Sequence, residues 1–136
     1  MSFPNGPFQI KLRDQDVVLD VKLGTVDPGA EVIIWHNRRD EDDNANQKWV
    51  YEDGQIKNLK SGLALTASRF SPGSIFAQQV SERNDTQRYE YDDYTISANE
   101  DEDLVIGVTS TSEGSAVSLV PRDNDDFKQM WEFISL

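Results

Sequence analysis

With 136 residues the chain is long enough to bury one core, and its formal net charge of −12 disfavours a nucleic-acid partner, because affinity for phosphates depends on basic surface. It contains no cysteine, which excludes disulfides and thiolate metal sites, and no apolar run approaches the roughly 18 residues that span a bilayer, so no membrane insertion is expected. The first eight residues lack the basic and apolar regions of a secretory signal, and we expect a cytoplasmic protein.

Apolar and polar residues alternate along the chain from its first predicted strand onward. The alternating apolar positions are Phe8, Ile10, Leu12, Val17, Leu19, Val21, Val32, Ile34, Trp49 and Tyr51. A period of two is typical of half-buried strands, and helical spacing is not sustained over a convincing length. Gly and Pro recur at short intervals, as turns between short strands require. The sequence therefore predicts an all-β protein.

The chain aligns with itself as three units of a single domain over residues 1–136. The units span approximately 7–53, 54–92 and 93–136. Each contains four predicted strands, and the last strand follows a Gln-x-aromatic pattern: QKWVY, QRYEY and QMWEF. Because one unit cannot bury its own apolar face, the three units must share a core. A β-trefoil of twelve strands satisfies this requirement and leaves no free sheet edges.

The Gln-x-aromatic segments predict specific contacts. Their glutamines are spaced by 40 and 42 residues: Gln47, Gln87 and Gln129. We expect each Gln to hydrogen-bond the backbone of its own repeat. We expect the aromatic residues two places later to fill the core: Trp49, Tyr89 and Trp131. The Asp53-Gly54 pair predicts a tight hairpin turn into the second repeat.

This pattern resembles the ricin B-chain-like lectin family, whose mark is three Gln-x-Trp repeats in a β-trefoil. The resemblance covers essentially the whole chain. The lack of cysteine and of a visible signal is most similar to the small cytoplasmic members found in fungi. The resemblance implies binding of galactose or N-acetylgalactosamine-type glycans, without catalysis and without a cofactor.

The resemblance also implies which residues would hold a sugar. Family members use the Asp of an LDV-like strand, the aromatic residue that ends the third strand, and the Asn directly before the Gln-x-Trp segment. In the first repeat these positions are Asp20, Trp35 and Asn46. Strand alternation independently predicts that Asp20 and Trp35 point away from the core.

One position departs from the family pattern. Many members carry a polar residue two places before the aromatic, and here Ile33 stands there. A hydrogen bond is therefore missing, which favours a ligand with an apolar substituent such as an N-acetyl group. His36 and Asn37 directly follow Trp35 and are candidates to replace the lost polar contact.

The second and third repeats lack this combination of residues. Their residues at the Asp, aromatic and Asn positions are Thr66, Gln79 and Thr86 in the second, and Gly107, Val120 and Lys128 in the third. We therefore expect one working site, with a dissociation constant of about 0.1–1 mM for a monosaccharide. Useful avidity would then require a homodimer or a multivalent glycan surface.

A β-trefoil protease inhibitor is the main alternative, since some trefoils similar to these lectins present a rigid loop to a protease. Its exposed basic candidates are Arg38-Arg39, Lys60-Ser61 and Arg69. An enzyme is disfavoured, because there is no Cys nucleophile and the single His has no Ser and Asp in register. A calcium loop at 40–45 is rejected, because Ala45 stands where an EF-hand requires Gly, and no metal site is expected.

Overall fold

The structure, a computed structural model, describes residues 2–39 and 41–136; Asp40, in the acidic segment considered above as a calcium loop, lies outside them. The predicted all-β class is confirmed by twelve short strands. These strands, β1 to β12 in chain order, are Phe8–Leu12, Val17–Val21, Val32–His36, Trp49–Glu52, Gln55–Asn58, Ala64–Ala67, Phe76–Gln79, Tyr89–Asp92, Thr95–Ala98, Asp101–Gly107, Ser118–Pro121 and Trp131–Ser135. In this part of the chain the helical segments are short 3-10 turns, and none could span a membrane.

Six strands, two from each repeat, form a closed barrel. Strand β1 pairs with both β12 and β4, β4 pairs with β5, and β8 pairs with β9. Two hydrogen bonds complete the circuit: Tyr89 N donates to Gly54 O over 3.0 Å, and Trp131 N donates to Tyr94 O over 2.7 Å. The barrel therefore has no free edge, as the β-trefoil prediction requires.

The other six strands form three hairpins that close one end of the barrel: β2–β3, β6–β7 and β10–β11. Equivalent backbone bonds join the hairpins in a cycle. They are Ile34 N to Ser115 O at 3.1 Å, Gln78 N to Ala30 O at 2.9 Å, and Leu119 N to Ser74 O at 2.9 Å. Each repeat donates to one neighbour and accepts from the other, so the three hairpins form one cyclic assembly and one shared core.

The aromatic residues of the Gln-x-aromatic segments fill this core, as predicted. Trp49, Tyr89 and Trp131 are all fully buried. The indole N–H groups of the two tryptophans donate to strand carbonyls: Trp49 Nε1 to Leu19 O at 3.2 Å, and Trp131 Nε1 to Ile106 O at 2.9 Å. Their polar atoms are therefore satisfied, as burial of a tryptophan requires.

The N-terminal segment packs against the barrel aromatics. The Phe3 ring lies 3.9 Å from the Tyr51 ring and nearly parallel to it, with Tyr91 and Phe133 also in contact distance. Phe3 is 7% exposed, although sequence periodicity assigned it no strand and no role in the core. The Asp53-Gly54 turn also forms as predicted, since both residues have positive φ, 54° and 80°, as a type I′ hairpin turn requires.

Candidate functional site

The three glutamines anchor the loop before the closing strand of each repeat. Each side chain accepts one backbone N–H and donates to one backbone carbonyl, which confirms the expectation for these residues. The partners are Arg38 N and His36 O for Gln47, Glu82 N and Val80 O for Gln87, and Asp123 N and Pro121 O for Gln129, all at 2.7–2.9 Å. The glutamines therefore shape three equivalent regions on the outside of the barrel.

In the first repeat the glutamine has an additional partner, Asp20. The Gln47 Nε2 atom donates to Asp20 Oδ2 over 3.0 Å, and Asn46 Nδ2 donates to Asp20 Oδ1 over 3.2 Å. Each carboxylate oxygen is thus bound by one amide. A carboxylate oxygen has two acceptor sites, so each can still accept a hydrogen bond from a ligand.

Asp20 points away from the apolar core as predicted, but it is only 4% exposed. The 3-10 turn Ala45–Gln47, which supplies both amide donors, packs against it. Burial raises the pKa of Asp20 above its usual value of 3.8. The hydrogen bond from Gln47 and the positive charge of Arg38 oppose that shift without cancelling it. The result is a carboxyl group with few water contacts, oriented by two amides.

A cavity of about 580 Å³ opens beside this carboxylate. Asp20, Trp35, His36 and Asn46, four of the five predicted site residues, line it together with Ile33. Trp35 is half-buried, and Ile33, the departure from the family pattern, is 5% exposed. A cavity of this size, with one indole and a few polar groups, has the character of a small-molecule site.

Asn46 is buried and its amide orientation is determined by its partners. Its Nδ2 atom donates to Val21 O over 3.1 Å as well as to Asp20. Within residues 2–39 and 41–136, the Asn46 Oδ1 atom is buried and has no hydrogen-bond partner. A buried acceptor without a donor costs about 1–3 kcal/mol. A donor from a ligand would remove that cost.

His36 lies at the edge of the cavity and is tied to the third repeat. Its Nδ1 atom lies 2.7 Å from Glu113 Oε1, and its backbone N–H donates to the same oxygen over 3.1 Å. The imidazole side chain remains 52% exposed. The Nε2 atom is therefore the part of the ring that is available to a ligand.

The prediction for Asn37 is wrong. Asn37 is 7% exposed and does not line the cavity. Its side chain exchanges two hydrogen bonds with Gln9, at 2.8 and 3.1 Å. The second repeat has a similar contact: Ser81, at the position equivalent to Asn37, donates to Gln55, at the position equivalent to Gln9. Asn37 therefore joins its loop to strand β1. Strand β3 ends at His36, so the direction of the Asn37 side chain no longer follows the alternation of the strand.

Lys60 belongs to the second repeat yet lines the first-repeat cavity. Its Nζ atom lies 3.6 Å from Asp43 Oδ1, and its side chain is 29% exposed. From the sequence, Lys60 was a candidate only for protease binding, because nothing local indicates that the turn between β5 and β6 reaches this cavity. Among the other basic candidates for an inhibitory loop, Arg38 also lines the cavity and pairs with Glu41. Arg39 pairs with Asp16, and Arg69 is exposed.

The equivalent regions of the other repeats have different shapes. A cavity of about 370 Å³ in the second repeat is lined by Thr66, Gln79 and Thr86, with neither carboxylate nor aromatic residue at the three predicted positions. In the third repeat, a Cβ atom on Gly107 would lie 2.8 Å from Val120 Cγ2. That separation is shorter than real Cβ contacts, so an Asp at this position would require the Val120 side chain or its strand to shift.

The cavity is formed without a metal-binding cluster. Among the side chains that the structure describes, no group of three or more His, Asp or Glu is arranged to hold a metal ion. The buried polar groups that line the cavity are the Asp20 carboxylate and the Asn46 amide, whose oxygens accept hydrogen bonds from hydroxyl and amide donors. Together with the exposed face of Trp35, they match the polar and apolar faces of a sugar ring.

Comparison with known families agrees with this architecture. The profile of the ricin-type beta-trefoil lectin domain matches residues 6–131. The chain therefore belongs to the ricin-type β-trefoil lectin domain family. The comparison with curated protein sequences found no match.

Solved structures of this fold superpose over nearly the whole chain. The earthworm R-type lectin C-half in complex with GalNAc has a TM-score of 0.86 at 21% identity, covering 98% of this chain and 100% of that one. An earthworm lectin C-terminal domain mutant in complex with 6'-sialyllactose has a TM-score of 0.83 at 23% identity, covering 98% and 100%. The designed threefold-symmetric protein ThreeFoil has a TM-score of 0.86 at 24% identity, covering 97% and 100%. At these identities the similarity establishes the fold.

Proposed function

We propose that the protein is a lectin that binds a terminal galactose or N-acetylgalactosamine residue in the first-repeat cavity. The observation that supports it is the buried Asp20 carboxylate, oriented by Gln47 and Asn46, in one cavity with the half-buried Trp35. Membership of the lectin family and the sugar complexes of similar structures support carbohydrate as the ligand class. The ligand is bound and released unchanged.

Each site residue has a distinct role in this proposal. The two Asp20 oxygens accept hydrogen bonds from adjacent sugar hydroxyls, because each oxygen has an acceptor site left after its amide contact. The Trp35 indole packs against the C–H face of the sugar ring. Asn46 Oδ1 accepts a donor from the ligand, and His36 Nε2 contacts a group at the cavity edge.

The proposal assigns one such site to each chain. Thr66 replaces the carboxylate in the second repeat, and Gly107, crowded by Val120, replaces it in the third. One shallow site gives a dissociation constant of about 0.1–1 mM for a monosaccharide. Tight attachment then requires a homodimer or a surface that displays many glycans, because linked binding events raise the effective concentration.

A glycan array with the unaltered protein and its Asp20→Ala variant tests this proposal. Asp20→Ala should abolish binding while the protein stays folded, because Asn46 and Gln47 keep their backbone acceptors. Asp125→Ala, which alters an exposed acid of the third repeat, is the matched control and should bind like the unaltered protein.

Two results would overturn the proposal. Undiminished binding by Asp20→Ala would move the site elsewhere. Nanomolar inhibition of trypsin-type or papain-type proteases, combined with an empty glycan array, would favour the inhibitor function instead.

A further inference from the structure

Leu23 has an unusual position at the rim of the first-repeat cavity. It lies in the 3-10 turn Lys22–Gly24, directly after strand β2, and its side chain lines the cavity. It is 93% exposed, more than any other large hydrophobic residue in the described part of the chain. Its backbone is left-handed, with φ 61° and ψ 10°.

Folding does not explain a leucine here. A left-handed backbone is disfavoured for residues with a branched or bulky side chain, and Gly or Asn is the usual residue in that conformation. A side chain that remains almost fully in water also contributes little burial to stability. Strained backbone of this kind concentrates at ligand-binding sites, where the side chain it presents has a use.

The turn that carries Leu23 is in contact with Asn46. A Cβ atom on the next residue, Gly24, would lie 3.7 Å from Asn46 Cγ, so the turn packs against this amide. The Oδ1 atom of that amide is the buried acceptor without a donor among residues 2–39 and 41–136. Ile33 adds a second apolar side chain to the cavity. An apolar surface and an unsatisfied acceptor therefore occur together.

We propose that Leu23 makes the site selective for sugars that carry an acetamido group. The inference rests on the proposed function and specifies its ligand. The acetamido N–H donates to Asn46 Oδ1, and the acetamido methyl group packs against Leu23 and Ile33. A hydroxyl in the same position can donate to the acceptor but brings no methyl group to the apolar surface. The amide group satisfies both features at once.

The test measures dissociation constants by isothermal titration calorimetry for the methyl glycosides of N-acetylgalactosamine and galactose. The unaltered protein should prefer the acetamido sugar by roughly tenfold, the low end of what one apolar group contributes in a pocket. In Leu23→Asn the preference for the acetamido sugar should fall to about threefold or less, since Asn tolerates the left-handed backbone but offers no apolar surface. Leu23→Met should retain most of the preference.

Val26→Ala is the matched control, because Val26 is an exposed apolar residue three places along the chain that does not line the cavity. It should keep the preference of the unaltered protein. Leu23→Gly provides a second variant that relieves the left-handed backbone, and its thermal unfolding confirms that the fold is intact.

The outcomes separate this inference from the proposed function. If the unaltered protein binds neither glycoside, the proposed function fails. If it binds both with equal affinity, the lectin proposal stands and the acetamido selectivity is wrong. If the preference survives in both Leu23→Asn and Leu23→Gly, Leu23 is not its source.

Discussion

The side-chain amide of Gln47 holds the carboxylate of Asp20, with Nε2 3.0 Å from Oδ2. The same nitrogen donates to His36 O over 2.9 Å, so one atom both stabilises the loop and orients the carboxylate. In the second repeat the equivalent contact, from Gln87, reaches the Thr66 hydroxyl at 3.2 Å. The Gln-x-aromatic motif is therefore a structural element of every repeat, and in the first repeat it also orients an acid at the proposed binding site.

The variants Gln47→Ala and Gln129→Ala separate the structural role of the motif from its role in orienting the carboxylate. Each variant loses the backbone contacts of one loop and should be destabilised by about 1–3 kcal/mol in chemical denaturation. Only Gln47→Ala should also weaken glycoside binding in calorimetry, because Gln47 contacts the Asp20 carboxylate and Gln129 does not. Equal affinities for the two variants would contradict the assignment of Asp20 to the site.

The raised pKa of Asp20 predicts loss of binding in mild acid. The ionised carboxylate accepts the sugar hydroxyls, so affinity should be complete at neutral pH and fall as the pH drops through a value above 3.8. Because the folded pKa exceeds the unfolded one, Asp20 lowers stability as the pH rises through this window. Protonation of Asp20 therefore does not unfold the protein, and the loss of affinity in acid has to come from the loss of the carboxylate charge.

Calorimetry across the pH range and circular dichroism on the same samples would distinguish binding from unfolding. Asp20→Asn provides the reference for stability, since it removes the titrating group and preserves the side-chain size. A constant affinity down to pH 3.8 would show that the carboxylate does not contact the ligand.

Trp35→Ala should weaken glycoside binding by about 1–3 kcal/mol, as expected for an aromatic residue that packs against a ligand. Trp35→Phe should recover part of that loss, because it retains an aromatic face. Both variants should remain folded, since Trp35 lies outside the core and is only half-buried. Fluorescence titration gives a second readout, and unchanged affinity in Trp35→Ala would remove the indole from the site.

Gly107→Ala should destabilise the protein by about 1–3 kcal/mol through overpacking. Unlike the other seven glycines it has no positive φ, so the lack of space beside Val120 is the cause. Thermal unfolding measures the effect, and glycoside affinity should not change. A Gly107→Ala protein of unchanged stability would show that the Val120 side chain or its strand can move aside, which would reopen the question of a third site.

Much of the fold was predictable because its signals are local. The face to which a strand residue points follows from its position along the strand, so alternation and three Gln-x-aromatic segments were sufficient for the β-trefoil, the buried Trp49 and Trp131, and the direction of Asp20. The grouping of Asp20, Trp35 and Asn46 was implied by the resemblance to the lectin family, whose sugar-contact positions these residues occupy.

Only the tertiary structure decided which segments cover each strand face and which residues from distant parts of the sequence contact it. The sequence could not indicate that Asn37 bonds Gln9, that Phe3 packs onto Tyr51, or that Lys60 enters a cavity of the preceding repeat. Burial depends on the loops and neighbouring repeats that pack over a strand, and these contacts are distant in sequence. Local periodicity therefore sets the direction of a side chain, whereas the closed arrangement of three repeats sets its environment and its chemistry.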